Sequence, residues 1–479
     1  MYKKLFKQTF IYGLATVLPR AFAFVLVPLY TSVLEPASFG VYATLMAYIV
    51  LGNVLLSYGM ETAFFRFINK EGANRSLVQS TALTSITATS IAVFVILYFL
   101  KDYIANYIGF DTRYVVWSIE ILVLDALVVI PFVWFRANGK PLKYAFIKIL
   151  NVIINLGFNL FFFMALPEID ELVSLQQVAK DPVDYIFWAN IIASAATLIM
   201  VIPVYFNIKF KFNVVLWKQM IKYAYPVLIA GIAFSINEVF DKILLDYLLP
   251  KDIAETEVGV YAACYKLGVF MTLFATAFRL GIEPFFFNHA KEKNAKNTYA
   301  VITKYFTIFG CIIFLVVMVY IDILKEILIR NEAYWVAISI VPYILLANLC
   351  LGIYHNLSVW YKVTDRTRYG AYISVFGAII TLAVNFVLIP IISYKGAAIA
   401  TLAAYGCMML ASYFLGRKYY RVPYEVKKIV TYILAAITFG SLAFYTFDRS
   451  LLIGTALLLV FLLGVFILEK KELKKMISK

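Results

Sequence analysis

Charge is scarce in this chain: 15% of its 479 residues are Asp, Glu, Lys or Arg, while 63% are hydrophobic. A soluble domain ordinarily carries about 25% charged residues, so most of this surface must meet lipid. Cysteine is scarce too. The four present (Cys264, Cys311, Cys350, Cys407) stand in apolar runs with no metal-like spacing. They read as small core residues, which excludes a disulfide framework and gives no firm metal site. The two histidines, His289 and His355, fall near span ends, where structural hydrogen bonding is expected ahead of a proton relay. No Gly-x-x-x-x-Gly-Lys-Ser/Thr loop occurs, so the chain carries no ATP site of that kind. His-Glu-x-x-His, Asp-x-Asp and a serine elbow are missing as well, and no enzyme class is indicated.

What the chain has in quantity is apolar length. Crossing about 30 Å of hydrocarbon takes about 20 largely apolar residues. Fourteen runs qualify: 9–33, 41–65, 80–100, 115–137, 145–166, 184–206, 221–248, 258–285, 300–321, 336–358, 370–392, 396–416, 428–447 and 450–468. The expected fold is an all-α membrane protein of about fourteen transmembrane helices. The longest gap, Pro167 to Val183, is too short to fold alone. The basic start, Met1 to Phe10, precedes a long apolar run without a small-residue cleavage site, so a retained first helix is expected.

Lysine and arginine collect in cytoplasmic loops. With Met1 inside, 30 of the 43 basic residues fall in cytoplasmic segments, eight in outside loops and five within spans. The alternation holds at every loop, so both termini are expected to be cytoplasmic. The net charge of +15 is then a topology signal rather than a nucleic-acid patch.

Phrases recur along the chain. Phe39-Gly-Val-Tyr-Ala43 opens span two and Val258-Gly-Val-Tyr-Ala262 opens span eight. Gly59-Met-Glu-Thr-Ala-Phe-Phe65 matches Gly281-Ile-Glu-Pro-Phe-Phe-Phe287, and Lys140-Pro-Leu-Lys-Tyr-Ala145 matches Asp365-Arg-Thr-Arg-Tyr-Gly370. The common order predicts two parallel six-helix lobes, 1–206 and 207–416, plus an appendix, 417–479, of two helices and a basic tail. A working cavity is expected between such lobes.

Leu34-Glu-Pro-Ala-Ser-Phe-Gly40 with Val41-Tyr42, the Arg136-Ala-Asn-Gly-Lys140 turn and the 6+6+2 arrangement resemble polysaccharide-biosynthesis flippases of the Wzx type. These belong to the multidrug/oligosaccharidyl-lipid/polysaccharide (MOP) exporter superfamily. The resemblance covers nearly the whole chain. It implies a bacterial inner-membrane transporter whose cargo is an undecaprenyl-pyrophosphate-linked oligosaccharide. It implies lobes that rock between inward-open and outward-open states, no cofactor, and membrane lipids and glycan-assembly proteins such as a polymerase as partners. A monomer is expected. The alternatives are a MATE-like drug/cation antiporter, the lipid II flippase itself and, from another class, a membrane polymerase or ligase. The last would need a sizeable outside loop with catalytic Arg or His.

Charges inside spans mark the candidate site, because each costs at least about 2.5–3.5 kcal/mol to insert. Arg20, about 16 Å deep at 1.5 Å per residue, would grip a pyrophosphate bidentately, or else pair with Asp125. Arg279 and Lys266 on span eight are its counterparts. Their spacing separates them around a straight helix unless Gly268 or Gly281 bends it, and Glu283 could pair with Arg279 one turn on. Lys148, Arg66 and Arg136 lie near the cytoplasmic boundary, where snorkelling suffices, although Arg66 could help receive cargo. On span seven, Glu238 and Lys242 are one turn apart, which would leave Asp241 uncompensated. In related lipid II flippases an acidic residue of span seven binds sodium with side chains of spans eleven and twelve. By that resemblance the coupling ion, Na+ or H+, would meet Asp241 or Glu238 with Thr381, Asn385 and Thr401.

Overall fold

The computed structural model describes residues 24–167, 181–206, 211–290, 292 and 294–477. Arg20 lies outside them. Hydrocarbon offers no hydrogen bonds, so an apolar run satisfies its backbone by winding into a helix. Among the described residues there is no strand. Among the described residues twelve helices are long and apolar enough to cross a membrane, and Phe24–Val33 closes the first run. A further helix, Val214–Leu248, has 35 residues and carries Glu238, Asp241, Lys242 and Asp246. Each falls on one of the fourteen sequence runs.

Side-chain caps fix some of the helix starts. Asn74 accepts the Leu77 N–H at the start of Arg75–Phe99, and Asp111 accepts the Arg113 N–H at the start of Thr112–Ala137. Asn331 does the same for Ala333. Such caps are worth about 1 kcal/mol each. Asp111 and Asn331 each follow a short helix, Lys101–Ile108 and Ile321–Leu328, at the spacing of the sequence echoes. The duplication therefore extends beyond the phrases that first reveal it.

Two compact units meet between Ala262 and Ala263. In the first, span two consists of Pro36–Ser57 and Met60–Ile68, broken at Tyr58 and Gly59, whose φ values are 33° and 72°. Span seven lies along both pieces. The two Gly-Val-Tyr-Ala phrases meet here. A Cβ on Gly40 would fall 1.8 Å from the Glu255 carbonyl oxygen, and one on Gly259 would fall 1.8 Å from that of Pro36. Only hydrogen fits at either position. Overpacking costs about 1–3 kcal/mol even where side chains can yield, and here the obstacle is backbone. Gly40→Leu should therefore lower the melting temperature of the detergent-purified protein. Gly157→Ala, with nothing within 4 Å of the added carbon, should leave it unchanged.

Span eight runs from the first unit into the second: Lys251–Tyr265 gives way to a single tight turn at Lys266–Gly268, followed by Val269–His289. Spans eleven (Arg368–Ile392) and twelve (Tyr394–Tyr419) pack closely, and the last two spans, Val426–Thr446 and Leu451–Lys470, lie on span nine, Ala295–Val319. Lys304 is fully buried on span nine. Its ammonium lies 2.8 Å from Glu425, 2.8 Å from Glu469 and 2.6 Å from Glu472. Tyr432 donates to Glu469 at 2.7 Å. This cluster ties the appendix helices to span nine.

Candidate functional site

Polar side chains recur every three or four residues along three spans of the first unit, which puts each set on one helix face, and a fourth span adds two more. Span two carries Asn53, Ser57 and Glu61, and span six (Pro182–Phe206) carries Asn190, Ser194 and Thr197. Span five (Pro141–Ala165) carries Tyr144, Lys148, Asn151 and Asn155, while span four (Thr112–Ala137) adds Asp125 and Arg136. All of these line one cavity of about 570 Å³. Its walls are helices apolar enough to cross a membrane, and its lining is hydrophilic. A bundle buries that many polar groups only if water or a polar ligand solvates them.

Asp125 is partly buried in this wall. It accepts a hydrogen bond from Ser194 at 2.8 Å and a longer one from Asn53 at 3.4 Å. Asn151 donates to Thr197 at 2.9 Å. Arg136 meets Glu61 at 3.3 Å where both side chains are largely exposed, a pairing worth little by itself. Lys148 differs. Its ammonium sits 4.3 Å from the centre of the Phe132 ring, and the carboxylates nearest in charge are Asp125 and Glu61. Among the described residues it makes no hydrogen bond or ion pair. Lys148 lines a half-open polar cavity, a solvated setting rather than a lipid-facing one. The stripe Tyr144, Lys148, Asn151, Asn155, Asn159 was the signal for it, since an apolar span rarely keeps one face polar without cause.

The other expected residues lie apart from this cavity. Arg279 is partly buried in the second unit and contacts the His355 Nε2 at 3.4 Å. Glu283 does not pair with it but with Lys362, at 2.6 Å. Arg279, Glu283, His355, Asn356 and Lys362 border a pocket of about 10 Å³, room for one water, and Asn356 Oδ1 is buried there without a hydrogen bond. Lys266 is exposed at the turn in span eight. Arg66 is exposed at the end of span two, its guanidinium 4.2 Å from the centre of the Tyr223 ring. His289 stacks on Phe285 at 3.8 Å, as a structural histidine would.

Asp241 is not left uncompensated. Its neighbour Lys242 donates to it at 3.0 Å, and Tyr261 at 2.5 Å. Lys242 thus stands where an added cation would bind this carboxylate. Glu238 is partly buried one turn away. Thr381, Asn385 and Thr401 are buried on adjacent spans of the second unit. Asn385 donates to the Thr381 carbonyl at 2.7 Å and its Oδ1 is left without a partner, while Thr401 bonds to the Ala397 carbonyl. Among the described residues no group of three His, Cys, Asp or Glu side chains is placed to hold a metal.

The sequence profile described as polysaccharide biosynthesis protein matches residues 5–278, more than half of the chain. A second profile, MatE, matches residues 226–387. No curated protein sequence matches significantly. The lipid II flippase MurJ in an inward closed conformation superposes with a TM-score of 0.73 at 14% identity, covering 97% of this chain and 100% of that one. An inward-facing multidrug resistance MATE family transporter of the MOP superfamily gives 0.63 at 12% identity, over 89% and 96%. A point mutant of a Vibrio cholerae MATE transporter gives 0.54 at 14%, over 87% and 96%. These likenesses show the fold, and families of this kind are transporters rather than enzymes. The chain therefore belongs to the polysaccharide biosynthesis protein family and has the fold of MOP-superfamily flippases and transporters.

Proposed function

We propose that this chain is a Wzx-type flippase, moving a polyprenyl-pyrophosphate-linked oligosaccharide from the cytoplasmic to the outer leaflet of a bacterial inner membrane. Both termini face the cytoplasm in this reading. The observation that carries it is the cavity: a large hydrophilic chamber with an unengaged lysine, enclosed by membrane-spanning helices, in a polysaccharide biosynthesis protein. A glycosylated headgroup cannot enter hydrocarbon without losing its water, and a polar chamber replaces that hydration. The lipid tail stays in the bilayer while lobe rocking exposes the chamber to either side. Arg20, Arg66, Lys266 and Arg279 attract the pyrophosphate, and Asp125 orients the chamber's polar wall. Outward movement of an anion is favoured when the cell interior is negative, by about 2.3 kcal/mol per charge per 100 mV. H+ at Asp241 or Glu238, or Na+ at Thr381, Asn385 and Thr401, resets the carrier. The finished glycan passes to polymerase and assembly proteins.

In cells, loss of this chain should abolish surface polysaccharide and leave lipid-linked oligosaccharide facing the cytoplasm. Arg279→Ala should fail to restore export at normal protein level, and full restoration would remove Arg279 from the cargo path. The MatE match favours a second reading, cation or drug antiport. It would show as altered drug susceptibility with intact surface glycan. Growth of cells lacking their own lipid II flippase on this chain alone would point to lipid II as cargo.

A further inference from the structure

The lining of the first unit's cavity is chemically more selective than a cationic grip. A pyrophosphate only accepts hydrogen bonds, so its site must present donors, and it is repelled by carboxylates. This cavity presents both kinds of partner. Asn53, Asn151 and Asn190 each use an Nδ2 donor within the protein. Their amide oxygens accept no hydrogen bond among the described residues. Asn155 is the reverse: it accepts from Asn159 at 3.3 Å and keeps its own NH2 group for a ligand. Two carboxylates, Asp125 and Glu61, share the wall with two cations, of which Arg136 already meets Glu61.

Vacant acceptors and a vacant donor on one wall call for a ligand whose groups both donate and accept, which is the property of hydroxyls. The rings of Phe132 and Tyr144, edge to face at 5.4 Å, add an apolar surface of the kind that the C–H face of a sugar ring covers. The volume of about 570 Å³ falls in the ordinary range for small-molecule sites, about 300–1,000 Å³.

We infer that this cavity is a subsite for a polyhydroxylated sugar ring, uncharged or singly anionic, and that the cargo's pyrophosphate is held elsewhere. The inference rests on the flippase reading for its cargo, but the binding chemistry is local to spans two, four, five and six. Asn151 and Asn155 are specificity determinants in it, and Lys148 serves a hydroxyl, a ring oxygen or a single anionic substituent.

The test uses the full-length purified protein in nanodiscs and saturation-transfer difference NMR. The probes are free N-acetyllactosamine, chitobiose and a glucuronate-containing disaccharide at millimolar concentration, with inorganic pyrophosphate as competitor. At least one disaccharide should receive saturation. Asn151→Leu and Asn155→Leu should each weaken that signal by about fivefold, the scale of one lost neutral hydrogen bond, in protein that still melts cooperatively. Pyrophosphate should leave the signal intact. No saturation of any disaccharide, signals unchanged in both folded variants, or displacement by pyrophosphate would each overturn the assignment. The outcome is separable from the flippase reading. Sugar binding in a protein whose loss leaves surface glycan intact keeps the subsite and removes the transport role, and the opposite pair of results does the reverse.

Discussion

Lys148→Met removes export of surface polysaccharide while the protein accumulates to its normal level. The two halves of this expectation come from one observation. Lys148 lines the cavity but makes no ion pair or hydrogen bond within the described residues. Its contribution to folding is confined to packing on Phe132, which a methionine of similar length supplies, and an unpaired cation in a membrane span is itself a cost. Its contribution to cargo is large, because without it the interior charge is left to Asp125 and to Glu61, already paired with Arg136. The sugar hydroxyl, ring oxygen or anionic substituent that Lys148 serves then loses its charged donor. Losing a charge-assisted contact of this kind costs about 1.5–3 kcal/mol, or roughly a 10- to 150-fold fall in transport rate. Lys148→Arg keeps the charge and should retain part of the activity. Quantifying surface glycan against protein abundance checks both halves. Undiminished glycan in Lys148→Met would remove this lysine from the cargo path.

The second large effect falls on stability. Lys304→Met should destabilise the second unit by about 3 kcal/mol, the lower end of the cost of breaking a buried ion pair, because Lys428 stays within 2.8 Å of Glu425, 3.2 Å of Glu469 and 3.5 Å of Glu472. Three carboxylates lie within 3 Å of its ammonium, and Lys304 and Glu469 have no exposed side-chain area. Glu469→Gln added to Lys304→Met should recover part of the loss, since it relieves the stranded charge. The same cluster gives a pH dependence. Burial raises the Glu425 carboxyl, but hydrogen bonds from Lys304 and Lys428 outweigh this and hold it below its ordinary value. A group depressed in the folded state stabilises above its unfolded pKa, about 4.3 for Glu, and loses that contribution as pH falls through the folded value. Thermal melts of the purified protein should therefore fall in acid below about pH 4, more steeply for wild type than for Glu425→Gln. Equal slopes would mean that Glu425 is not held by these lysines.

The fold was legible because lipid imposes one rule along the whole chain: every apolar run of sufficient length must be a helix. The echo of Gly40 in Gly259 was legible as wording, but only coordinates show that the two glycines pack against each other's segments. Charge was read less well. Nothing near Lys304 in the sequence marks its burial, because its three partners are residues 425, 469 and 472, far along the chain. Pairing guesses based on one turn of helix failed for the same reason. Glu283 turned to Lys362 rather than Arg279, and Asp241 took Lys242, its immediate neighbour. Depth alone singled out Asp125, whereas Lys148, nearer a span end, needed the whole polar face of span five to give it meaning.

The account depends on a glycosylated headgroup passing through a polar chamber inside the membrane. Its most direct measurement reconstitutes the purified chain into liposomes that contain a fluorescent, short-chain polyprenyl-pyrophosphate disaccharide, and follows quenching of the outer leaflet by an impermeant reductant. Complete quenching with wild-type protein, and the same second phase at least about tenfold slower with Lys148→Met, is the predicted result. Half quenching with wild type, or equal rates with both, would contradict it.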